Sequence, residues 1–353
     1  MWNRPPSGCP SRVSRNREKE TVRAVVIDAF GPFEKAVIRD VPDPILRPGE
    51  ILVEIHATAA NYVDILLIGG LHQSRPALPF IPGKGPAGIV RALGDGVDGF
   101  SPGDRVVAMC EPGGGYAELI AVPATQCHPI PAAMPFEEAA SMALIYDTAW
   151  FSLRERGRYQ PGETVLVLGA SGGVGLAAIQ LAKALGARVL AGVSNPGKFH
   201  LASEAGADAI IELDCPDLRN NLRDQVLAAT NGHGADIVID PLGDVFFDAA
   251  LRALAWCGRL VVVGFAAGGI PSVKANYLLV KNIEVSGLQI GDYRKRAPEK
   301  TAACFRELFA LYEAGKIGPP PTAAMPLENF GEALRAIRDR SAHGRIVLLQ
   351  HRS

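Results

Sequence analysis

The chain has 353 residues, with 36 Lys and Arg against 37 Asp and Glu, so its formal net charge is −1. That length allows two domains with their own cores, and the balanced charge argues against a nucleic-acid or membrane-surface partner. No apolar run approaches the roughly 20 residues of a bilayer span, and the six cysteines form no CxxC or CxxH pair, which points away from a metal cluster or disulfide framework and toward a reducing cytoplasm.

Residues 1–21 are rich in proline, serine and basic side chains and lack the apolar stretch of a secretory signal. They read as a disordered N-terminal extension, with Val22 as an alternative start of the native chain. From Arg23 to about Pro131, alternating runs such as Glu50-Ile-Leu-Val-Glu-Ile-His-Ala are punctuated by Pro48-Gly49, Pro82-Gly83 and Pro102-Gly103. This pattern predicts a compact, mostly β domain. A helix with acidic residues in its first turn follows from Pro135.

The pattern then changes. Strands are predicted at Thr164–Leu168, Arg188–Gly192, Ala209–Glu212, Ile237–Asp240 and Arg259–Val263. Helices are predicted between them, at Gly173–Leu185, Gly197–Ala205, Leu218–Thr230 and Phe246–Ala255. Short strands alternating with helices imply a doubly wound parallel sheet. After Lys281 come another strand, helices near Ala302–Ala314 and Phe330–Arg340, and a final strand at Arg345–Leu349.

The first strand of the α/β region runs into Ala170-Ser-Gly-Gly-Val-Gly175 and then a helix, the arrangement that holds a dinucleotide pyrophosphate. Ser171, Gly172, Gly173, Val174 and Gly175 are the candidate phosphate-binding residues. At the end of the second strand, where an NAD-selective site places a carboxylate on the ribose, stands Ala191-Gly-Val-Ser-Asn-Pro-Gly-Lys198. With no carboxylate, Ser194 and Lys198 suit a 2′-phosphate, so NADP(H) is the expected cofactor; the alternative for Lys198 is a solvated lysine at a helix start. Gly264, Phe265 and Ala266 close a later strand at the edge where ligands gather. Phe265 there either flanks the nicotinamide or packs in the core.

Several motifs together resemble the medium-chain dehydrogenase/reductase superfamily, in its zinc-independent quinone oxidoreductase branch. They are Ala60-Asn-Tyr-Val-Asp64, Phe80-Ile-Pro-Gly-Lys-Gly-Pro-Ala-Gly-Ile-Val90, Gly103-Asp-Arg-Val106, Gly114-Gly-Tyr-Ala-Glu118, Ala170–Gln180 and Gly258-Arg-Leu-Val-Val-Val-Gly264. The resemblance implies an α/β fold in which a Rossmann domain (148–281) is inserted into a mostly β, GroES-like catalytic domain (22–147 and 282–353). It also implies that the catalytic-zinc ligands are replaced by Asn61, by Lys84 with Gly85, and by the Tyr146-Asp147 neighbourhood. No metal is then expected, and the chemistry moves from alcohols to quinones or similar conjugated carbonyls, which accept hydride without a Lewis acid.

Asn61 is the implied hydrogen-bonding residue beside nicotinamide and substrate, and Asp64 orients a neighbour or transfers a proton. Tyr62 and Tyr146 read either as further hydroxyl donors or, as is more usual for a Tyr beside a domain boundary, as packing residues. His72, His128 and His233 read as surface or turn histidines, and Arg294-Lys-Arg296 as a solvated loop. Two other functions remain open at this stage. One is a reductase of 2-enoyl thioesters or alkenals, and the other is a crystallin-like NADPH-binding protein with a structural or RNA-binding role. The resemblance further implies a homodimer, joined through strands near Val280–Gly287.

Overall fold

The computed structural model describes residues 21–350. The N-terminal extension therefore lies outside the described residues, except for Thr21, which opens the strand Thr21–Val26.

Two large sheets organise the chain. The first has six parallel strands, in the spatial order Ala209–Glu212, Arg188–Val193, Thr164–Val167, Ala235–Asp240, Leu254–Val262 and Glu284–Gly287. Thr164–Val167 is buried at all four positions, as a strand covered on both faces must be. The helices Gly173–Ala184, Phe199–Glu204, Leu218–Ala229 and Asp244–Ala253 form the crossovers. The strand order reverses direction between Thr164–Val167 and Ala235–Asp240, which opens a crevice at their carboxyl ends. The sheet also takes in Glu284–Gly287, paired to Leu254–Val262, beyond the boundary expected at 281. This strand is only four residues long and half exposed, so its pattern carries no mark of either sheet.

The second sheet has seven strands and is built from both halves of the chain. Glu50–Ala59, with alternately buried residues over most of its length, is its centre. Ala87–Leu93 and Leu119–Pro123 pair with that strand, and the last strand, Arg345–Leu349, joins it antiparallel with Val347 opposite Ala59. This register matters for the site because the N–H of Ala60 donates to the Ile346 carbonyl at 2.9 Å, bringing residue 61 beside residue 345.

Between the sheets lies the helix Phe136–Trp150, whose buried residues include Ala139, Ala140, Ala143 and Ala149. Small side chains let it approach both neighbours closely. One continuous apolar core runs from Ala57 and Val107 through this helix to Val165 and Ile179. Among the described residues, no helix is long and apolar enough to cross a membrane.

The strands at the centre of the second sheet touch at Gly88, where a Cβ would lie 1.9 Å from the Glu54 carbonyl oxygen. Gly88→Ala is therefore expected to destabilise the protein by about 3 kcal/mol, the upper end of the usual cost of overpacking. Urea unfolding measures this, and an unchanged midpoint would contradict it.

Candidate active site

The glycine loop sits at the crevice. Ala170 is buried, and its N–H donates to the Gly192 carbonyl at 3.0 Å, tying the first strand's exit to the second strand. The helix begins at Gly173 with no side-chain cap and no acidic residue in its first turn. Its amides therefore present positive partial charge to the crevice. Gly175 is dictated by packing: a Cβ there would lie 2.4 Å from the Gly169 carbonyl oxygen. Ser171 and Val174 are half-buried and Gly172 is exposed on the rim.

At the end of the second strand, Ser194 is exposed. Lys198 closes a short turn set by the Asn195 side chain, which accepts from the Gly197 N–H at 2.9 Å. The Lys198 ammonium donates to the carbonyls of Arg340 (3.0 Å) and Ala342 (3.4 Å), in the loop that precedes the last strand. Arg340 in turn donates from Nη2 to the Ala266 carbonyl at 3.4 Å. Gly264, Phe265 and Ala266 are half-buried at the sheet's carboxyl edge, and Phe265 packs against Gly243.

Asn61 caps the helix Tyr62–Ile68. Its N–H donates to Asp64 Oδ2 at 2.9 Å, its Nδ2 donates to the Ala59 carbonyl at 2.8 Å, and its Oδ1 accepts from Arg345 Nη2 at 2.7 Å. Asp64 is fully buried and gathers two further donors, the Tyr116 hydroxyl at 3.1 Å and the Gly83 N–H at 3.2 Å. Burial pushes its carboxyl up to about 6, against the lowering effect of these donors and of Lys84. The Tyr116 hydroxyl is also raised, by burial and by Asp64. Asp64 thus holds Asn61, Tyr116 and the Gly83 turn together and has no exposed surface to offer a substrate.

Arg345 is the residue that the motif reading missed. Its side chain crosses from the last strand to the nucleotide loop, where a Cβ on Gly173 would lie 3.2 Å from its Nη1. It is 9% exposed, and its Nε has no hydrogen-bond partner. Burial lowers its pKa to about 10, opposed by Asp64 and Tyr116, so it remains a cation at neutral pH. Only the strand register reveals it, since Gly344-Arg-Ile-Val-Leu reads locally as an ordinary strand start.

Of the positions that the resemblance sets against zinc ligands, Lys84 and Asp147 are held in ion pairs. Lys84 Nζ meets Glu111 Oε2 at 2.5 Å, and Arg294 bridges Glu111 Oε1 and Asp147 Oδ2, both at 2.5 Å. A zinc ion does not fit this set. Two of its members are cations, the carboxylates are already engaged, and Asn61 Oδ1 already accepts from Arg345. Among the described residues, no group of three or more His, Cys, Asp or Glu side chains could hold a metal ion.

Other expectations need correction. Arg294 does not lie in a solvated loop; it is 2% exposed within the helix Ile290–Arg296, because two buried carboxylates face it. His128 is buried rather than at the surface, stacked on Phe305 with centroids 4.3 Å apart. Burial, with Arg294 and Arg306 nearby, drops its pKa to about 3. Tyr146 is buried, its hydroxyl 2.6 Å from the Gly318 carbonyl, to which it donates, and 2.8 Å from Gln180 Oε1, whereas Tyr62 is exposed. Val280 belongs to the helix Ala275–Lys281, not to a strand.

An uncapped glycine-loop helix at the crevice of a six-stranded parallel sheet, facing a second, GroES-like sheet, defines a two-domain dinucleotide-dependent oxidoreductase. Comparison with known proteins narrows this. Residues 47–132 match the family model of the alcohol dehydrogenase GroES-like domain, and residues 173–307 match that of the zinc-binding dehydrogenases. A quinone oxidoreductase-like protein 2 homolog from Nematostella vectensis is 36% identical over 94% of this chain and 89% of its own. The structure of a Pseudomonas syringae quinone oxidoreductase superposes with a TM-score of 0.86 at 28% identity, covering 93% of this chain and 99% of that one. That of mycobacterial Rv1454c complexed with NADPH gives 0.84 at 31% identity over the same shares. The chain belongs to the medium-chain dehydrogenase/reductase superfamily, in its zinc-independent quinone oxidoreductase branch.

The Asp64 environment makes a prediction about pH. Between the ordinary carboxyl value of 3.8 and about 6, the folded chain keeps a proton that the unfolded chain has released. This group's contribution to stability is therefore full below about 3.8 and is lost as pH rises through about 6. Asp64→Asn is expected to remove that component from the pH dependence of urea unfolding; a slope identical to wild type would contradict the assignment.

Proposed function

We propose that the protein transfers hydride from NADPH to a quinone or similar conjugated carbonyl without a metal ion. The observation that carries this reading is the Arg345–Asn61 hydrogen bond. It sets an amide of the catalytic sheet beside the first turn of the nucleotide helix, while Lys84 and Asp147, at two positions that the resemblance sets against zinc ligands, are engaged in ion pairs. The NADPH complex of the mycobacterial relative and the quinone oxidoreductase names of other relatives support the same reading.

When bound, NADPH supplies the hydride. The amides at Ser171–Gly175 and the helix N-terminus hold the diphosphate, and Arg345 adds a buried positive charge at Gly173. Ser194 donates to the 2′-phosphate. Lys198 neutralises it, exchanging carbonyl partners for a charged one, which makes a stronger hydrogen bond. Gly264, Phe265 and Ala266 flank the nicotinamide. Asn61 has one amide hydrogen left over from the bonds described, and it donates to the acceptor's oxygen as negative charge develops there. Alignment across the cleft and that one hydrogen bond suffice, because conjugation spreads the charge. Water supplies the proton. Asp64 acts as a positioning residue behind Asn61.

A homodimer is part of this reading. The outer edge of Glu284–Gly287 is unpaired within its sheet, and Leu279 and Val280 beside it are 80% and 76% exposed. A second copy would cover both. Light scattering should give twice the chain mass; a monomer at micromolar concentration would contradict this.

Two measurements test the enzymatic reading. NADPH oxidation should proceed with 9,10-phenanthrenequinone, 1,4-benzoquinone or an alkenal in the presence of a zinc chelator, and inhibition by the chelator would contradict it. Lys198→Ala should raise KM for NADPH about tenfold, a loss of about 1.4 kcal/mol, and leave KM for NADH unchanged. Equal effects on both cofactors would make Lys198 structural.

A further inference from the structure

The buried charge cluster at Lys84, Glu111, Asp147 and Arg294 joins four separate parts of the chain. Lys84 leads into the strand Ala87–Leu93, Glu111 follows Arg105–Ala108, Asp147 lies in the central helix, and Arg294 lies in the helix after the edge strand of the nucleotide sheet. Arg294 sets Nε (3.1 Å) and Nη2 (2.5 Å) on Asp147 Oδ2 and Nη1 (2.5 Å) on Glu111 Oε1, and the second Glu111 oxygen takes Lys84. Arg294 and Asp147 are 2% and 0% exposed. Such clusters rarely add stability over apolar residues of the same volume, because desolvating the charges costs about as much as pairing them returns. Their geometry, however, is specific.

That geometry spans the proposed cleft. On one side, the N–H of Leu288 donates to the Val262 carbonyl at 2.9 Å, and Val262 lies two residues before Gly264 at the nicotinamide edge. The helix Ile290–Arg296 starts directly afterwards and leans on Glu111: a Cβ on Gly291 would lie 3.1 Å from its Oε1. On the other side, Lys84 follows Gly83, whose N–H is held by Asp64, which in turn holds the N–H of Asn61. Polar contacts and short backbone links thus run from the nucleotide sheet through Arg294, Glu111 and Lys84 to Asn61.

We infer that Arg294 and Glu111 are positioning residues for hydride transfer, fixing the separation between the nicotinamide edge and the Asn61 wall. The inference rests on the proposed reaction. Neither residue touches the reacting atoms; they act through Lys84 and the Gly83–Asp64 contact. Misplacement by about 1 Å between reacting groups costs about a hundredfold in rate, so a loosened relay reads out in turnover rather than in cofactor affinity.

The test compares Glu111→Gln, Arg294→Lys and Lys84→Met in the full chain, each checked for a native thermal transition. The expected result for Glu111→Gln and Lys84→Met is a fall in kcat with phenanthrenequinone of about tenfold or more, with Kd for NADPH within about twofold of wild type. Arg294→Lys should fall between, since it keeps the charge and loses the fork. Lys84→Met leaves both carboxylates on Arg294 and decides the matter if Glu111→Gln fails to fold. The emission of bound NADPH reports the nicotinamide's surroundings without any acceptor, and it should shift in the same variants. Folded variants with unchanged kcat and unchanged emission would overturn the inference. If wild type turns over no acceptor, the proposed reaction fails, and the emission alone decides the positioning role.

Discussion

The hydrogen bond from Arg345 to Asn61 is the contact on which the rest of the site depends. It joins the last strand of the chain to the start of an early helix, and it does so beside the first turn of the nucleotide helix. Burying a guanidinium is costly unless its donors and charge are answered. Here the Asn61 carbonyl oxygen answers one donor, and the buried Asp64 carboxylate stands near enough to oppose the lowering of the pKa by burial. One Arg345 nitrogen remains without a partner, so the arrangement is held by the fold around it rather than by its own bonds. The strand register that brings Ile346 to Ala60 is what makes the contact possible.

A second constraint follows from the absence of thiolate and imidazole at the ligand positions. Where a metal would supply positive charge, the chain places Lys84 and Arg294 and balances them with Glu111 and Asp147. The four side chains carry two formal charges of each sign, and in the reading proposed above they join the walls of the cleft instead of polarising a substrate. That fits an acceptor whose own conjugation spreads the developing charge.

Local features were legible in the sequence because their causes are local. Thr164–Gln180 announces a buried strand, a tight glycine turn and a helix within seventeen residues, and the parallel sheet follows from the alternation after it. The cap that links Asn61 to Asp64 was not read from the sequence, where the pair figured only as site residues implied by the resemblance. Arg294, Arg345 and Glu111 were not legible, because each owes its role to partners distant in sequence: Arg294 lies 183 residues from Glu111 and 147 from Asp147, Arg345 lies 284 from Asn61, and Glu111 also meets Lys84 from 27 residues away in another loop. An arginine in Arg294-Lys-Arg296 looks solvated until the carboxylates that bury it are known. His128 misleads for the same reason, as only packing places Phe305 against it.

The central claim is that this site delivers the hydride of NADPH directly to a conjugated acceptor with no metal taking part. The most direct measurement uses NADPH deuterated stereospecifically at C4, an enone acceptor and excess zinc chelator, with the product analysed by mass spectrometry and NMR. The account predicts deuterium at the β-carbon from only one of the two C4-deuterated isomers, at a rate unaffected by the chelator. Product without deuterium from either isomer, or turnover abolished by the chelator, would contradict it.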